Sequence, residues 1–251
     1  MPGRGEVEDL REAQAALSLL AQQEVADLVS TVVAEADPAA ARDVLVQLVP
    51  QLAAEYGDAA AALAASWFEQ VYGVPAVIAA PLDRAVLEQA VRYPAGHLWT
   101  PDGGPAGATA IDPLTNALAG KVDAWVKQGV RDTVRESAWS NDMGWARVPR
   151  GAKTCAWCLI LASRGAVYRS RQSATTADGG ERYHGHCDCT AVAVRGPDEY
   201  PDGYDPDALY NDLYLPARTA AGSGDIESIA AAMRERFPDM VTDGHVSTDD
   251  G

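Results

Sequence analysis

Apolar residues recur at helical spacing along the first part of the chain, with Glu, Gln and Ala between them. In residues 6–36 they are Leu10, Leu17, Leu20, Leu28 and Val32. Intervals of three, four, seven or eight residues place these side chains on one face and predict a long helix. The pair Asp37-Pro38 ends that helix and begins another, because Asp caps a helix and Pro suits its first turn. So tight a turn predicts that the two helices pack antiparallel.

The same spacing predicts two more helices before a loop and another after it. The second helix covers Pro38–Tyr72, where Pro50 would permit a bend, and the third covers Asp83–Tyr93. Residues 94–113 are rich in Gly and Pro and predict a loop. The helical pattern resumes over Leu114–Trp139 through Leu118, Val122, Trp125, Val126, Val130 and Val134. Apolar stripes of this kind are typical of a bundle core.

From Trp145 the pattern changes, and regular helical spacing is lost. Cys158–Ser163 predicts one or two helical turns, and residues 166–168 and Thr190–Val194 predict short strands around the cysteines. Helical spacing returns in Pro206–Ala221.

It continues in Asp225–Phe237, where Asp225 is the predicted N-cap. One face of this last helix carries Ile226, Ile229, Met233 and Phe237.

These elements predict a mainly α fold. A long N-terminal helical bundle or arm is followed by a small mixed α/β cysteine-rich domain, which a zinc ion would clamp, and by a C-terminal helical segment. The predicted regions are a helical region at 1–93, the Gly/Pro-rich loop at 94–113, a connecting helix at 114–144, a Cys/His-rich core at 145–195, an acidic helical segment at 196–240 and a disordered tail at 241–251.

Charge is distributed unevenly over the 251 residues. The chain has a net charge of −16, but residues 145–195 carry +5 and residues 196–251 carry −10. An acidic chain is not expected to bind nucleic acid freely in solution. The basic segment either supports a small domain that is poor in apolar core or contacts an anion, and both alternatives stay open. The charged start predicts no secretory signal, and no apolar run reaches the roughly 18 residues of a membrane span.

All four cysteines lie in one stretch, as Cys155-Ala-Trp-Cys158 and Cys187-Asp-Cys189, with His184 and His186 before the second pair. Two thiolate pairs with an imidazole nearby have the spacing of a tetrahedral zinc site. In a strand, Cys187 and Cys189 would share a face, whereas His186 would point away. His184 would complete the set of four ligands or replace one cysteine in it, and it is a better candidate ligand than His186. In a reducing cytosol, metal binding is favoured over disulfides.

A site closed by four protein ligands would be structural, because it leaves no position for a reacting water. Reduced thiols, a redox-labile pair and a catalytic metal are the alternatives. A zinc deaminase needs Glu two residues after its His or Cys ligand, and a metalloprotease needs H-E-x-x-H. The sequence has neither, and no Asn completes an HNH-type nuclease motif. We therefore predict no catalytic residue. A metal-dependent nuclease or a zinc-containing nucleic-acid-binding protein is the alternative function.

The cysteine region resembles the phage MuF-like head-morphogenesis family, in the form found in tailed phages of actinobacteria. The resemblance rests on residues 145–158 (WARVPRGAKTCAWC), 161–168 (LASRGAVY) and 183–189 (YHGHCDC). That family has a C-x-x-C pair followed by an H-x-x-C-x-C motif. In this chain, His184, Cys187 and Cys189 are the His and the two Cys residues of that second motif. His186 is additional to the pattern, so the fourth ligand is not settled. The helices before the motif and residues 217–236 are similar as well.

The resemblance implies a minor head protein of a tailed double-stranded DNA phage, with no enzymatic domain. Such proteins lie in the virion near the portal and the inner capsid wall, and in the host cytoplasm during assembly. The implied partners are portal and capsid proteins. The positive charge of residues 145–195 separately suggests packaged DNA as a partner of this segment. No membrane partner is expected, and a homo-oligomer is left open. The expected cofactor is structural zinc, and its candidate ligands are Cys155, Cys158, His184, Cys187 and Cys189.

Overall fold

The computed structural model of the chain describes residues 2–149, 153–166, 189–196 and 199–242. Helices dominate these residues, and two short strands form a small sheet. The helices are α1 (Arg4–Glu35), α2 (Pro38–Tyr72), α3 (Arg84–Arg92), α4 (Ile111–Ser140), α5 (Ala156–Ala162), α6 (residues 206–221) and α7 (Ile226–Arg236). The strands are β1 (Gly144–Val148) and β2 (Thr190–Val194).

Helices α1 and α2 form the predicted antiparallel hairpin. Asp37 caps α2, since its Oδ1 accepts hydrogen bonds from the backbone N–H groups of Ala39 and Ala40 at 3.0 and 3.1 Å. Cross-contacts fix the antiparallel register: Trp67 Nε1 donates to the Glu6 carbonyl at 2.8 Å, and Tyr56 donates to Glu24 at 2.7 Å. The α2 helix continues through Pro50, which is buried.

Helix α4 is the third member of the bundle and packs against both α1 and α2. It begins three residues earlier than predicted, and two 3₁₀ turns, Pro94–Leu98 and Gly107–Ala110, occupy the predicted loop. Its predicted apolar stripe is confirmed as core. Every fourth residue is fully buried, namely Leu114, Leu118, Val122, Val126, Val130, Val134 and Ala138.

Helices α2 and α4 touch through their backbones. A Cβ atom added to Gly129 on α4 would lie 2.5 Å from the carbonyl oxygen of Gly57 on α2, which is far inside van der Waals contact. Only a residue without a side chain fits at this crossing. A Cβ added to Gly57 would meet nothing within 4 Å, so the constraint falls on Gly129 alone.

The segment after α2, residues 75–79, runs along α4 and is held by polar side chains four residues apart. The bonded pairs are Thr133 with Ala79, Ser137 with Val77 and Asn141 with Pro75, at distances between 2.8 and 3.2 Å. Two residues of extended chain advance about 6.6 Å, and four residues of helix advance about 6 Å. The two series therefore stay in register over two helical turns.

The sheet is antiparallel, with Gly144 opposite Val194 and Val148 opposite Thr190. All ten of its residues are buried, so both faces are covered. Trp145, Ala191 and Ala193 pack into the bundle core. The alternate residues Ala146, Val148, Val192 and Val194 pack with Ala162 and Tyr204 on the other face. The strand at Thr190–Val194 was predicted, whereas β1 was not.

Tyr72, at the end of α2, ties the bundle to the sheet. Its hydroxyl donates to the Ala193 carbonyl at 2.8 Å, and Arg195 donates to the Tyr72 carbonyl. The Arg195 guanidinium also lies 5.9 Å from the Tyr72 ring centroid. Burial raises the pKa of the Tyr72 hydroxyl well above its usual value.

The C-terminal helices pack on α5. Helix α6 consists of the α-helical turns Pro206–Ala208 and Leu215–Ala221 on either side of a π-helical stretch, Leu209–Tyr214. In α7 the predicted cap is confirmed, because the Asp225 carboxylate accepts from the Ser228 N–H at 2.9 Å. Ile229 and Met233 are buried as predicted, and they pack in one cluster with Ala156, Leu159 and Ile160 of α5.

Two predictions fall outside the described residues. The strand predicted at 166–168 has only its first residue inside them, and the predicted tail lies beyond Thr242 except for Val241 and Thr242 themselves. Among the described helices, none has the length and apolar character that crossing a bilayer requires.

The crossing of α2 and α4 generates a prediction with a matched control. Gly129→Ala is expected to lower the free energy of unfolding by about 1–3 kcal/mol, because the two backbones must separate. Gly57→Ala is expected to raise it by up to about 1 kcal/mol, because Ala favours helix and meets no neighbour. Urea unfolding followed by circular dichroism measures both. Equal effects of the two substitutions would show that the helices do not meet at this point.

Tyr72→Phe is expected to destabilise the fold by about 1 kcal/mol near neutral pH, because the Ala193 carbonyl loses its partner. The pKa of Tyr72 is raised on folding, so the native hydroxyl stays protonated while that of the unfolded chain ionises above about pH 10. The stability of the unsubstituted chain then falls with rising pH, and its advantage over Tyr72→Phe shrinks. Urea unfolding near pH 8 and near pH 10.5 tests this, and a constant difference would contradict it.

Candidate metal centre

The first cysteine pair is placed by the start of α5. Cys155 is the N-cap residue of this helix, and its Sγ accepts a hydrogen bond from the Cys158 N–H at 3.2 Å. The residue before it, Thr154, is held by the C-terminal end of the described chain. Its N–H donates to the Met240 carbonyl at 3.2 Å, and its carbonyl accepts from the Thr242 N–H at 3.1 Å. The pair is therefore anchored from both sides.

The second pair contributes Cys189, which directly precedes β2. Cys155, Cys158 and Cys189 form one buried cluster, with Trp157 packed against it. None of these three described thiols is in a disulfide. The structure thus brings together residues that are more than 30 positions apart in sequence, as the predicted site requires.

Two buried arginines contact the same cysteine. Arg131 of α4 donates from Nη2 to the Cys189 carbonyl at 3.1 Å. Arg147 of β1 places its Nη1 3.9 Å from the Cys189 Sγ and its guanidinium 5.7 Å from the Trp145 ring centroid. Arg131 and Arg147 are 1% and 0% exposed. Because a guanidinium keeps its charge in the interior, Arg147 favours a thiolate over a neutral thiol at Cys189.

The strand geometry explains how Arg147 reaches the cysteines. Side chains alternate between the faces of a strand, and Trp145 packs into the bundle core on the α4 side. Arg147 therefore projects toward α4, where Arg131 lies. Its register partner Ala191 is two residues after Cys189. Each arginine is thus fixed by an element outside the cysteine loops.

The remaining predicted ligands cannot be placed. His184, His186 and Cys187 lie outside the described residues. Within the part of the chain that the structure describes, no group of three or more His, Cys, Asp and Glu side chains could hold a metal ion. The described cysteines supply soft sulfur donors in a buried, positively charged setting, a donor set that suits zinc. The predicted zinc site is therefore compatible with the described thiols and stays a prediction.

Sequence reasoning missed the part that Arg131 and Arg147 play. From the sequence, Arg147 is one of the basic residues of 145–195 that either support a small domain or contact an anion. Its complete burial assigns it to the first alternative. In the same segment, Lys153 and Arg195 are exposed. The available signal was local: Arg147 alternates with Ala146 and Val148 in a short apolar run, where a charged side chain needs a buried partner.

Comparison with known proteins adds a family. A family model described as VG15 protein matches residues 1–215. The Gene 15 protein of Mycobacterium phage D29 is 34% identical over 118 residues, which are 37% of this chain and 43% of that protein. The Gene 15 protein of Mycobacterium phage L5 is 31% identical over 111 residues, which are 31% of this chain and 37% of that protein.

The matched stretches thus span about two fifths of the length of these curated relatives. No solved structure matches the chain. The family match includes the helical bundle, the sheet and all four cysteines. Because it covers 215 of the 251 residues and the curated relatives come from two bacteriophages, the chain belongs to the VG15 protein family, a bacteriophage protein family.

Proposed function

We propose that this chain is a minor capsid protein of a tailed double-stranded DNA phage, which acts in head morphogenesis beside the portal and the capsid interior. The observation that carries the proposal is the VG15 family match over residues 1–215, with relatives in two mycobacteriophages. The MuF-like pattern of residues 145–189 supports the finer assignment to head morphogenesis.

The architecture supports an assembly role. Two helices of more than 30 residues present long faces for packing against other proteins. Helices α5, α6 and α7 and the sheet form a second unit around the cysteine cluster, next to the end of α4. Because α4 contacts both this unit and the α1–α2 hairpin, a partner that shifts one of them would also act on the other through α4. Contact with packaged DNA would fall to Lys153, Arg195 and basic residues outside the described ranges, because Arg147 is buried.

We propose further that the cysteine cluster holds a structural zinc ion. Cys155, Cys158 and Cys189 would be ligands, with Cys187 or His184 completing the set. When bound, zinc would clamp the two cysteine pairs together and contribute folding free energy to this region. The chain's own residues support the proposed site. Helix α5 orients the first pair, Arg131 holds the backbone carbonyl of Cys189, and Arg147 contacts its sulfur.

The zinc proposal predicts about one zinc ion per chain. Cys155→Ser and Cys189→Ser are expected to lose bound zinc and to expose residues 145–195 to proteolysis, while the helical signal of α1, α2 and α4 is retained. His186→Ala serves as the matched control and is expected to keep its zinc. Metal content by inductively coupled plasma mass spectrometry measures the effect. A full chain that carries no zinc after expression in zinc-supplemented medium would contradict the proposal.

The capsid proposal predicts a direct complex with the portal protein of the same phage. Co-expression of the two proteins is expected to yield a complex of fixed stoichiometry, which size-exclusion chromatography with light scattering would measure. The major capsid protein, expressed in the same way, tests whether the contact is selective. Complete separation of the chain from both proteins would argue against a head-assembly role.

A further inference from the structure

The outer side of the α1–α2 hairpin carries a groove with an apolar floor. Leu28, Leu48 and Leu52 are half-buried and line a cavity of about 330 Å³ between the two helices. Its rim is formed by Glu24, Asp27 and Glu55, which are exposed, together with Gln51. The groove is open to solvent in the described part of the chain.

The groove lies on the opposite side of the hairpin from α4. On α1, Ser18 faces α4, because it is hydrogen-bonded to Asp123. At roughly 100° per residue, Glu24 and Asp27 lie about 180–240° around the helix from Ser18. Leu20, which is 49% exposed, lies on the same side one turn earlier and extends the apolar line.

Helix α2 gives the same result from its own contact with α4. Gly57 marks the α4 side, because its carbonyl oxygen approaches Gly129. Leu48, Leu52 and Glu55 lie about 160–220° around α2 from Gly57. The hairpin thus has a seam on each side, meaning the groove between its two helices, and α4 occupies one of them. The other seam has the apolar floor described above, and no helix among the described residues covers it.

The charge around the open seam has one sign. Residues 12–58 contain eight Asp or Glu and a single basic residue, Arg42. That residue is paired with its neighbour Asp43 at 2.7 Å, so it leaves the groove acidic. The pKa of the nearby Tyr56 hydroxyl is raised, chiefly by its hydrogen bond to Glu24, then by burial and by the charges of Glu24 and Glu55. The seam therefore combines apolar contact area with negative potential.

We propose that this groove binds an amphipathic helix of a partner protein, whose apolar side chains are flanked by Lys or Arg. A helix suits the site, because a seam between two antiparallel helices accepts a third through apolar residues at i, i+3, i+4 and i+7. Lys or Arg beside that stripe would meet the carboxylates on both rims. The inference goes beyond the proposed capsid role and holds whichever assembly contains the partner.

A synthetic peptide tests the surface without knowledge of the natural partner. The probe is an 18-residue helix with Leu along one face and Lys beside it, and a second peptide replaces each Lys with Glu. Titration of the full chain by fluorescence anisotropy is expected to show that the Lys peptide binds at least about tenfold more tightly than the Glu peptide. Its affinity should fall as salt is raised. Equal binding of both peptides would overturn the proposal.

Two pairs of variants separate the groove from the overall charge. Reversal of the rim by Glu24→Lys, Asp27→Lys and Glu55→Lys is expected to weaken binding of the Lys peptide at least about tenfold. Reversal of three exposed acids elsewhere, by Asp9→Lys, Glu12→Lys and Asp239→Lys, changes net charge equally and should leave the affinity within about twofold. The same loss in both triple variants would mean that the peptide senses only net charge.

For the floor, Leu48→Gln is expected to weaken binding, whereas Leu19→Gln, at an exposed leucine on the flank of α1, is not. Helical content by circular dichroism confirms that each variant is folded. Unchanged binding by a folded Leu48→Gln variant would overturn the proposal. Sedimentation of the free chain tests a second copy as the occupant: a dimer that the rim reversal dissolves would replace the partner helix with self-association.

Discussion

Contact between the backbones of α2 and α4 sets the position of most other elements. Because Gly129 has no side chain, α4 approaches the Gly57 carbonyl closely enough to bury a complete stripe of its own apolar residues against α1 and α2. From this position α4 presents Thr133 and Ser137 to the segment that follows α2, and Arg131 to Cys189. Helix α4 thus positions the bundle, the segment that follows α2, and the part of the cysteine region around Cys189.

The cysteine region depends on this arrangement because one face of its sheet packs on the bundle. The two described strands, β1 and β2, place Trp145, Ala191 and Ala193 in the bundle core. Two buried arginines, one from α4 and one from β1, meet at Cys189. Buried charge is costly unless it is paired, so a thiolate at Cys189 would offset the buried charge of Arg147. A zinc ion held by such thiolates would strengthen the link between α5 and the strand after Cys189.

The long helices could be predicted from the sequence because their burial is periodic. The α4 stripe repeats every four residues, and Asp37 and Asp225 are caps whose effect is local. Strand β1 could not be predicted in this way, because it contains a buried arginine, Arg147, whose partners come from distant parts of the chain. The same is true of Arg131, and of the close approach at Gly129, which depends on how two helices cross. At the candidate metal centre, the structure places Cys189 in one buried cluster with Cys155 and Cys158. Because His184, His186 and Cys187 lie outside the described residues, the predicted ligand set stays a prediction.

The proposed role makes this VG15 family chain a component of the phage head. Quantitative mass spectrometry of purified virions and of DNA-free procapsids tests it most directly, with the portal and major capsid proteins as internal standards. We expect the chain in both particles, at a fixed ratio to the portal protein and far below the major capsid protein. Its absence from both particles, with abundant chain in the infected-cell lysate, would contradict the proposed role.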